Sequence, residues 1–233
     1  MATLVRSAFG FGEALIAVPM LAFFIPLRVA APLTVLVSIT IAMVVVVQDW
    51  RHIHLRSAGW LVFSTLFGIP LGLLLLTRSP EDLIKAGLGG LILLFALFCL
   101  AANMRFRLHR DSWPWLLTCG FIAGILGGAY GMNGPPLVIY GSLRNWTAQH
   151  FRATLQAYFL PASVLGMCGY LSAGLWTPDV TRYYLLCLPA MLPAVFLGRA
   201  INYRLSAAAF SRYVYLGLAA IGAGLLMQSI VHH

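Results

Sequence analysis

Gly127-Gly128-Ala129-Tyr130-Gly131-Met132-Asn133-Gly134-Pro135-Pro136 lies in the middle of a 31-residue run, 113–143, that carries no charged residue. As one straight helix this run would be about 46 Å long, well beyond the roughly 30 Å of a hydrocarbon core. Four glycines and two adjacent prolines in ten residues cannot hold a continuous helix. The run is therefore predicted as a broken, discontinuous or re-entrant, element. A shorter version stands near the N-terminus, where Phe9-Gly10-Phe11-Gly12-Glu13 opens the apolar stretch 8–27 and Pro19 follows.

The rest of the chain sets the solvent for these breaks. Apolar residues make up 61% of the 233 and charged residues only 9%, with a mean hydropathy of +0.90. Soluble domains carry about 25% charged residues, so this chain has too few charges to wet a surface, and lipid is the solvent that accepts it. Six further stretches, 30–47, 57–77, 83–102, 153–178, 182–200 and 213–231, are long and apolar enough for spanning helices. The expected fold is thus an all-α, multi-pass integral membrane protein of about eight hydrophobic segments. Ser79-Pro80-Glu81-Asp82 and Thr177-Pro178-Asp179 mark helix starts, with a capping hydroxyl, a first-turn proline and early acids.

Superimposing Gly10 on Gly131, an offset of 121 residues, brings later features into the same order in both halves. Each half opens with a glycine-broken element, continues through an arginine-bearing link and closes with three apolar segments. The chain divides accordingly into an N-terminal membrane repeat (1–104), a basic loop (105–112) and a C-terminal membrane repeat (113–233). If both broken elements dip in and return, ten basic residues fall on one face, among them Arg51, Arg105, Arg144 and Arg152. Five, Arg6, Arg28, Arg78, Lys85 and Arg182, fall on the other. That asymmetry satisfies the positive-inside rule, and straight threading gives none. Three full crossings per half then invert one half relative to the other, a plan that places a transporter's site at midplane.

Several classes are excluded. The formal charge of +9 is spread singly or in small groups between apolar runs, a pattern for anionic lipid and not for nucleic acid. Cys99, Cys119, Cys168 and Cys187 sit in apolar runs without Cys-x-x-Cys spacing and read as core hydrophobes, and no histidine lies inside an apolar run. No metal site and no cofactor is expected. Arg6 followed by an apolar stretch resembles a signal peptide, but Glu13 and Pro19 interrupt it, so the segment is read as mature protein.

Irregular backbone survives in lipid only where protein or water satisfies it, so a glycine-rich break implies a cavity. Half-helices starting there aim unpaired N–H groups and a positive dipole end into it, which makes an anion site. The candidate substrate-binding residues are Gly10, Gly12, Glu13, Gly128, Tyr130, Gly131, Asn133, Gly134 and Pro135, with Arg152 and Gln156 sharing a helix face four residues apart. Alternatively the glycines serve close helix packing. Glu13 is the only acid within an apolar segment and the candidate proton carrier, unless it simply lies at the interface.

Gly-Phe-Gly-Glu-Ala-Leu-Ile-Ala-Val-Pro at 10–19, Gly-Gly-Ala-Tyr-Gly-Met-Asn-Gly-Pro-Pro-Leu at 127–137 and Phe-Arg-Ala-Thr-Leu-Gln at 151–156 resemble the signatures of the TauE/SafE sulfite exporter family. The family is also known as the toluene-sulfonate uptake permease family, and the likeness covers essentially the whole chain. Its motif positions carry over to Gly10, Gly12, Pro19, Gly128, Gly131, Gly134 and Pro135. The resemblance implies a secondary carrier in the bacterial inner membrane for sulfite or small organosulfonates, with lipid as surroundings and a homo-oligomer compatible with the class. An anion channel and a structural membrane subunit are the alternatives. An enzyme is disfavoured, because a single acid and no buried histidine supply no catalytic set.

Overall fold

The computed structural model describes Arg6 and residues 12–49, 55–101, 113–143, 148–202 and 216–227. The described chain forms nine helices: α1 (Glu13–Ala22), α2 (Leu27–Asp49), α3 (Leu55–Arg78), α4 (Glu81–Ala101), α5 (Trp113–Tyr130), α6 (Gly134–Leu143), α7 (Ala148–Ser172), α8 (Pro178–Asn202) and α9 (Leu216–Met227). The segments within α2, α3, α4 and α5 are long and apolar enough to cross a membrane. Large apolar side chains face outward, among them Phe67 and Leu74 on α3, Leu94 on α4 and Leu186 on α8. Exposed bulk of this kind, around a core that holds Arg6 and Glu13, is the surface of a protein dissolved in lipid. The loop 105–112 lies outside the described residues.

A seam of small residues fixes the centre of the bundle. Gly120, Gly124 and Gly128 on α5 recur every four residues and lie against Ser64, Thr65, Gly68, Ile69 and Gly72 on α3. A Cβ at Gly68, Gly72, Gly124 or Gly128 would strike the partner helix's backbone, so the two helices touch at main-chain distance, as small-xxx-small packing allows. Gly120 pairs with Leu61, Gly124 with Thr65 and Gly128 with Ile69, so α3 and α5 run parallel. In α7 the Tyr158 hydroxyl lies 2.7 Å from Thr65 Oγ1 and the Tyr170 hydroxyl donates to Gly127 O at 2.7 Å, which makes α7 parallel to both.

These directions decide the path of the breaks. The starts of α3, α5 and α7 share one end of the bundle, so the helix ends flanking 50–54, 102–112 and 144–147 also lie there. Only four residues, 144–147, separate α6 from α7; α6 must therefore run back toward the end from which α5 came. Arg28, at the start of α2, donates from Nε and Nη2 to Leu76 O (3.3 Å) and Thr77 O (2.9 Å) at the far end of α3. It serves as a C-terminal cap. Since α1 joins α2 through 23–26, α1 runs toward that far end. Thus α1 and α6, each ten residues and about 15 Å long, run in opposite directions. Among the later pairs, α2 opposes α7 and α3 opposes α8.

Two local features differ from the sequence reading. The stretch expected as one helix over 153–178 stops at Ser172, because Gly174 adopts φ 70° and closes a Schellman motif with Leu175 N–H on Tyr170 O and Gly174 N–H on Leu171 O. Thr177 does not cap α8 with its hydroxyl, which is buried without a partner among the described residues. Of the cysteines read as core, Cys119 is buried and Cys99 half-buried, whereas Cys168 and Cys187 are exposed on the outward faces.

Candidate functional site

Each break contains a glycine in the left-handed region, which residues with a Cβ adopt only under strain. Gly12, at φ 99°, is the N-cap of α1 and supplies no side chain to cover the first turn. The N–H groups of Glu13, Ala14 and Leu15 precede the first hydrogen-bonded turn and have no partner within the helix. Gly131, at φ 67°, ends α5: its N–H bonds Gly127 O, Met132 N–H reaches back to Leu126 O, and α6 starts three residues later. A Cβ at Gly131 would meet Ala31 O of α2. Pro135 and Pro136 occupy first-turn positions of α6 where the missing N–H forfeits no helix bond. They also remove two donors, so α6 offers its dipole end and Asn133 whereas α1 offers amides.

The two openings meet. A cavity of about 30 Å3 is lined by Gly12, Glu13, Ala14 and Leu15 from the first break, and by Gly131, Met132, Asn133 and Gly134 from the second. Ser38 at the middle of α2 and Phe159 and Ser163 near the middle of α7 complete its wall with Arg6. The volume suits about two waters.

Its charge chemistry is concentrated in one pair. Arg6 and Glu13 are only 4% and 1% exposed, and Arg6 Nη1 donates to Glu13 Oε2 at 2.7 Å. The same Nη1 also donates to Ser38 Oγ, which lies 3.5 Å from Ser163 Oγ. The guanidinium carbon stands 5.3 Å from the Phe159 ring centroid, within cation–π range. Arg6 Nε and Nη2 and Glu13 Oε1 are buried with no hydrogen-bond partner among the described residues. Unmet donors on a buried cation, and an unmet oxygen on its partner, are both costly.

Of the candidates from sequence, Gly12, Glu13, Gly131, Asn133 and Gly134 line this cavity. Glu13 is deeply buried within the protein. Gly128 lies in the α3–α5 seam, and the Tyr130 hydroxyl is directed at Gly87 on α4. Pro135 is buried beside the opening of α6. Arg152 and Gln156 lie on α7, but their side chains, like all of Gly10, fall outside the described residues. Sequence reasoning missed Arg6, Ser38, Phe159 and Ser163. Arg6 counts among the basic residues of the sparser face; the signal that singles it out is the opposite charge seven residues on, in an otherwise uncharged stretch.

Comparison with known proteins converges on the same region of protein space. A family profile described as Sulfite exporter TauE/SafE matches residues 1–225. A curated relative from Cupriavidus necator, named probable sulfite/organosulfonate exporter TauE, is 26% identical over 182 residues, covering 78% of this chain and 70% of its own length. No solved structure gives a significant match. With nearly its full length matched by a profile of membrane exporters, which are not enzymes, the chain belongs to the TauE/SafE sulfite exporter family.

Proposed function

We propose that this protein is a secondary carrier of the bacterial inner membrane that moves a small sulfur oxyanion, sulfite or an organosulfonate, by alternating access around the cavity between α1 and α6. The observation that carries the reading is the convergence of two oppositely running half-helices, whose breaks contain Gly12 and Gly131, on one buried cavity with an arginine in its wall. Helix N-termini and a guanidinium both favour negative charge. The name of the Cupriavidus necator relative supports sulfite or an organosulfonate as the solute.

In this reading residues 1–104 and 113–233 are two inverted repeats joined by the basic loop 105–112, and the cavity lies on the seam between them. The end where α3, α5 and α7 start faces the cytoplasm, because the connections there carry Arg51, Arg105, Arg107, Arg110 and Arg144. Gly12, Glu13, Gly131, Asn133 and Gly134 form the substrate site, with Glu13 as proton carrier.

The test is flux of labelled sulfite in proteoliposomes holding the purified protein. A carrier shows saturable uptake and counterflow, in which internal unlabelled sulfite accelerates entry of the label. A channel would conduct without counterflow, and a structural subunit would move and bind nothing; either result overturns the proposal.

A further inference from the structure

The unpaired edge of Arg6 and the free oxygen of Glu13 point at the same question, namely what the pair is for. A buried ion pair is weak as a stabilising device, since desolvating both charges offsets most of their attraction. When it persists at depth in a membrane protein, a functional reason is the default expectation. Here the pair is also incomplete. One nitrogen of Arg6, a residue of the cavity wall, serves both Glu13 and Ser38, while Nε and Nη2, the two donors that form one side of the guanidinium fork, are buried without a partner among the described residues. A fork with two parallel N–H groups is shaped for two oxygens of one oxyanion.

Building on the carrier reading above, we infer that Arg6 is the residue that grips the transported oxyanion, and that Glu13 is an internal stand-in for that anion, released only on taking up a proton. With Glu13 ionised, its carboxylate lies on Arg6 and the pair is neutral. A monovalent oxyanion entering beside it would leave one net negative charge in a medium that tolerates none. If Glu13 binds one proton as the anion arrives, Arg6 transfers its contact from the carboxylate to the solute and the site is neutral again. One anion and one proton enter together, and charge balances before and after. Among the described residues, Arg6 is the only charged group that faces Glu13 across the cavity; Ser38, Asn133 and Ser163 contribute uncharged polar groups. Ser38, which accepts from Arg6 Nη1 and is backed by Ser163, is placed to keep the guanidinium solvated during the exchange.

The exchange makes Glu13 a competitor of the substrate. Sulfite affinity should therefore fall as pH rises through the titration of Glu13, by about tenfold per pH unit for one linked proton. Sulfite has its own titration, so the reading is taken as the difference between wild type and Glu13→Gln, in which that contribution cancels.

The measurement is sulfite binding to the purified, detergent-solubilised full chain, read by thermal stabilisation over a pH series, for wild type, E13Q, R6Q and R6K. E13Q, which mimics the protonated carboxyl, should bind sulfite more tightly than wild type at high pH and lose the pH dependence specific to wild type. R6Q should lose affinity by about 10- to 100-fold, the range for a hydrogen bond to a charged group. R6K keeps the charge without the fork, should fold even where R6Q does not, and should bind more weakly than wild type by about tenfold. If wild type binds and transports sulfite while the arginine variants bind as well as it does, or while E13Q keeps the wild-type pH profile, this inference is overturned and the carrier reading stands. If wild type binds and moves no anion, both fall.

Discussion

Gly131→Ala probes the joint on which the cavity depends, and Gly174→Ala supplies its control. Both glycines have the same backbone conformation, φ 67° and 70°, so alanine pays the same left-handed penalty at each, about 1–2 kcal/mol. Their surroundings differ. A Cβ at Gly174 meets nothing within 4 Å, whereas at Gly131 it would stand 2.8 Å from Ala31 O and 3.2 Å from Val35 Cγ2. The first of these is backbone in the second turn of a packed helix and cannot rotate aside, so α2 and the α5–α6 joint must separate by several tenths of an ångström. Overpacking of that kind adds about 1–3 kcal/mol. The expected destabilisation is about 1–2 kcal/mol for G174A and about 2–5 kcal/mol for G131A, measured by reversible unfolding in mixed micelles with increasing denaturing detergent. Equal destabilisation of the two would refute the close approach of Gly131 to α2.

The seam and the support of the break give two further predictions. Gly124→Ala places a methyl against Thr65 O across the α3–α5 contact and should cost about 1–3 kcal/mol; Gly59→Ala, with open space around it, should be neutral or stabilising by up to about 1 kcal/mol. The same unfolding assay separates them, and a neutral G124A would mean that the helices are further apart than described. Tyr170→Phe removes the donor to Gly127 O, 2.7 Å away beside the break. Because that carbonyl still accepts from Gly131 N–H, the loss should be only about 0.5–1.5 kcal/mol, and a loss beyond 3 kcal/mol would show that the hydroxyl does more than satisfy this oxygen.

The breaks were legible in sequence because lipid leaves so few alternatives. With no water to satisfy open backbone, the Gly127–Pro136 decapeptide had to interrupt its helix, and the uniformly apolar runs marked α2, α3 and α4 to within a few residues. Within the decapeptide the glycines were not separable by inspection. Gly128 continues a four-residue spacing with Gly120 and Gly124 and serves packing, whereas Gly131, out of that register, makes the turn. Only the position of α3 decides which is which. The end of α7 at Gly174 was hidden because a Schellman glycine inside an apolar run resembles any other glycine in a membrane segment. Ser38, Phe159 and Ser163 could not be foreseen, since nothing local distinguishes them from the other residues of their helices; they matter because tertiary packing brings the middles of α2 and α7 to the two breaks. Arg6 was visible as a charge, but its partner across seven residues became meaningful only with both side chains buried in one cavity.

The central claim, that the two broken helices together enclose an oxyanion site, is tested most directly with selenite, the heavier homologue of sulfite. A crystal of the full chain grown with selenite and measured at the selenium absorption edge would locate the anion from its anomalous signal alone. The account predicts one peak in the cavity, within hydrogen-bonding reach of Arg6 and facing the first turn of α1 and Asn133. An occupied selenium site elsewhere in the bundle, with the cavity between Gly12 and Gly131 empty, would contradict it.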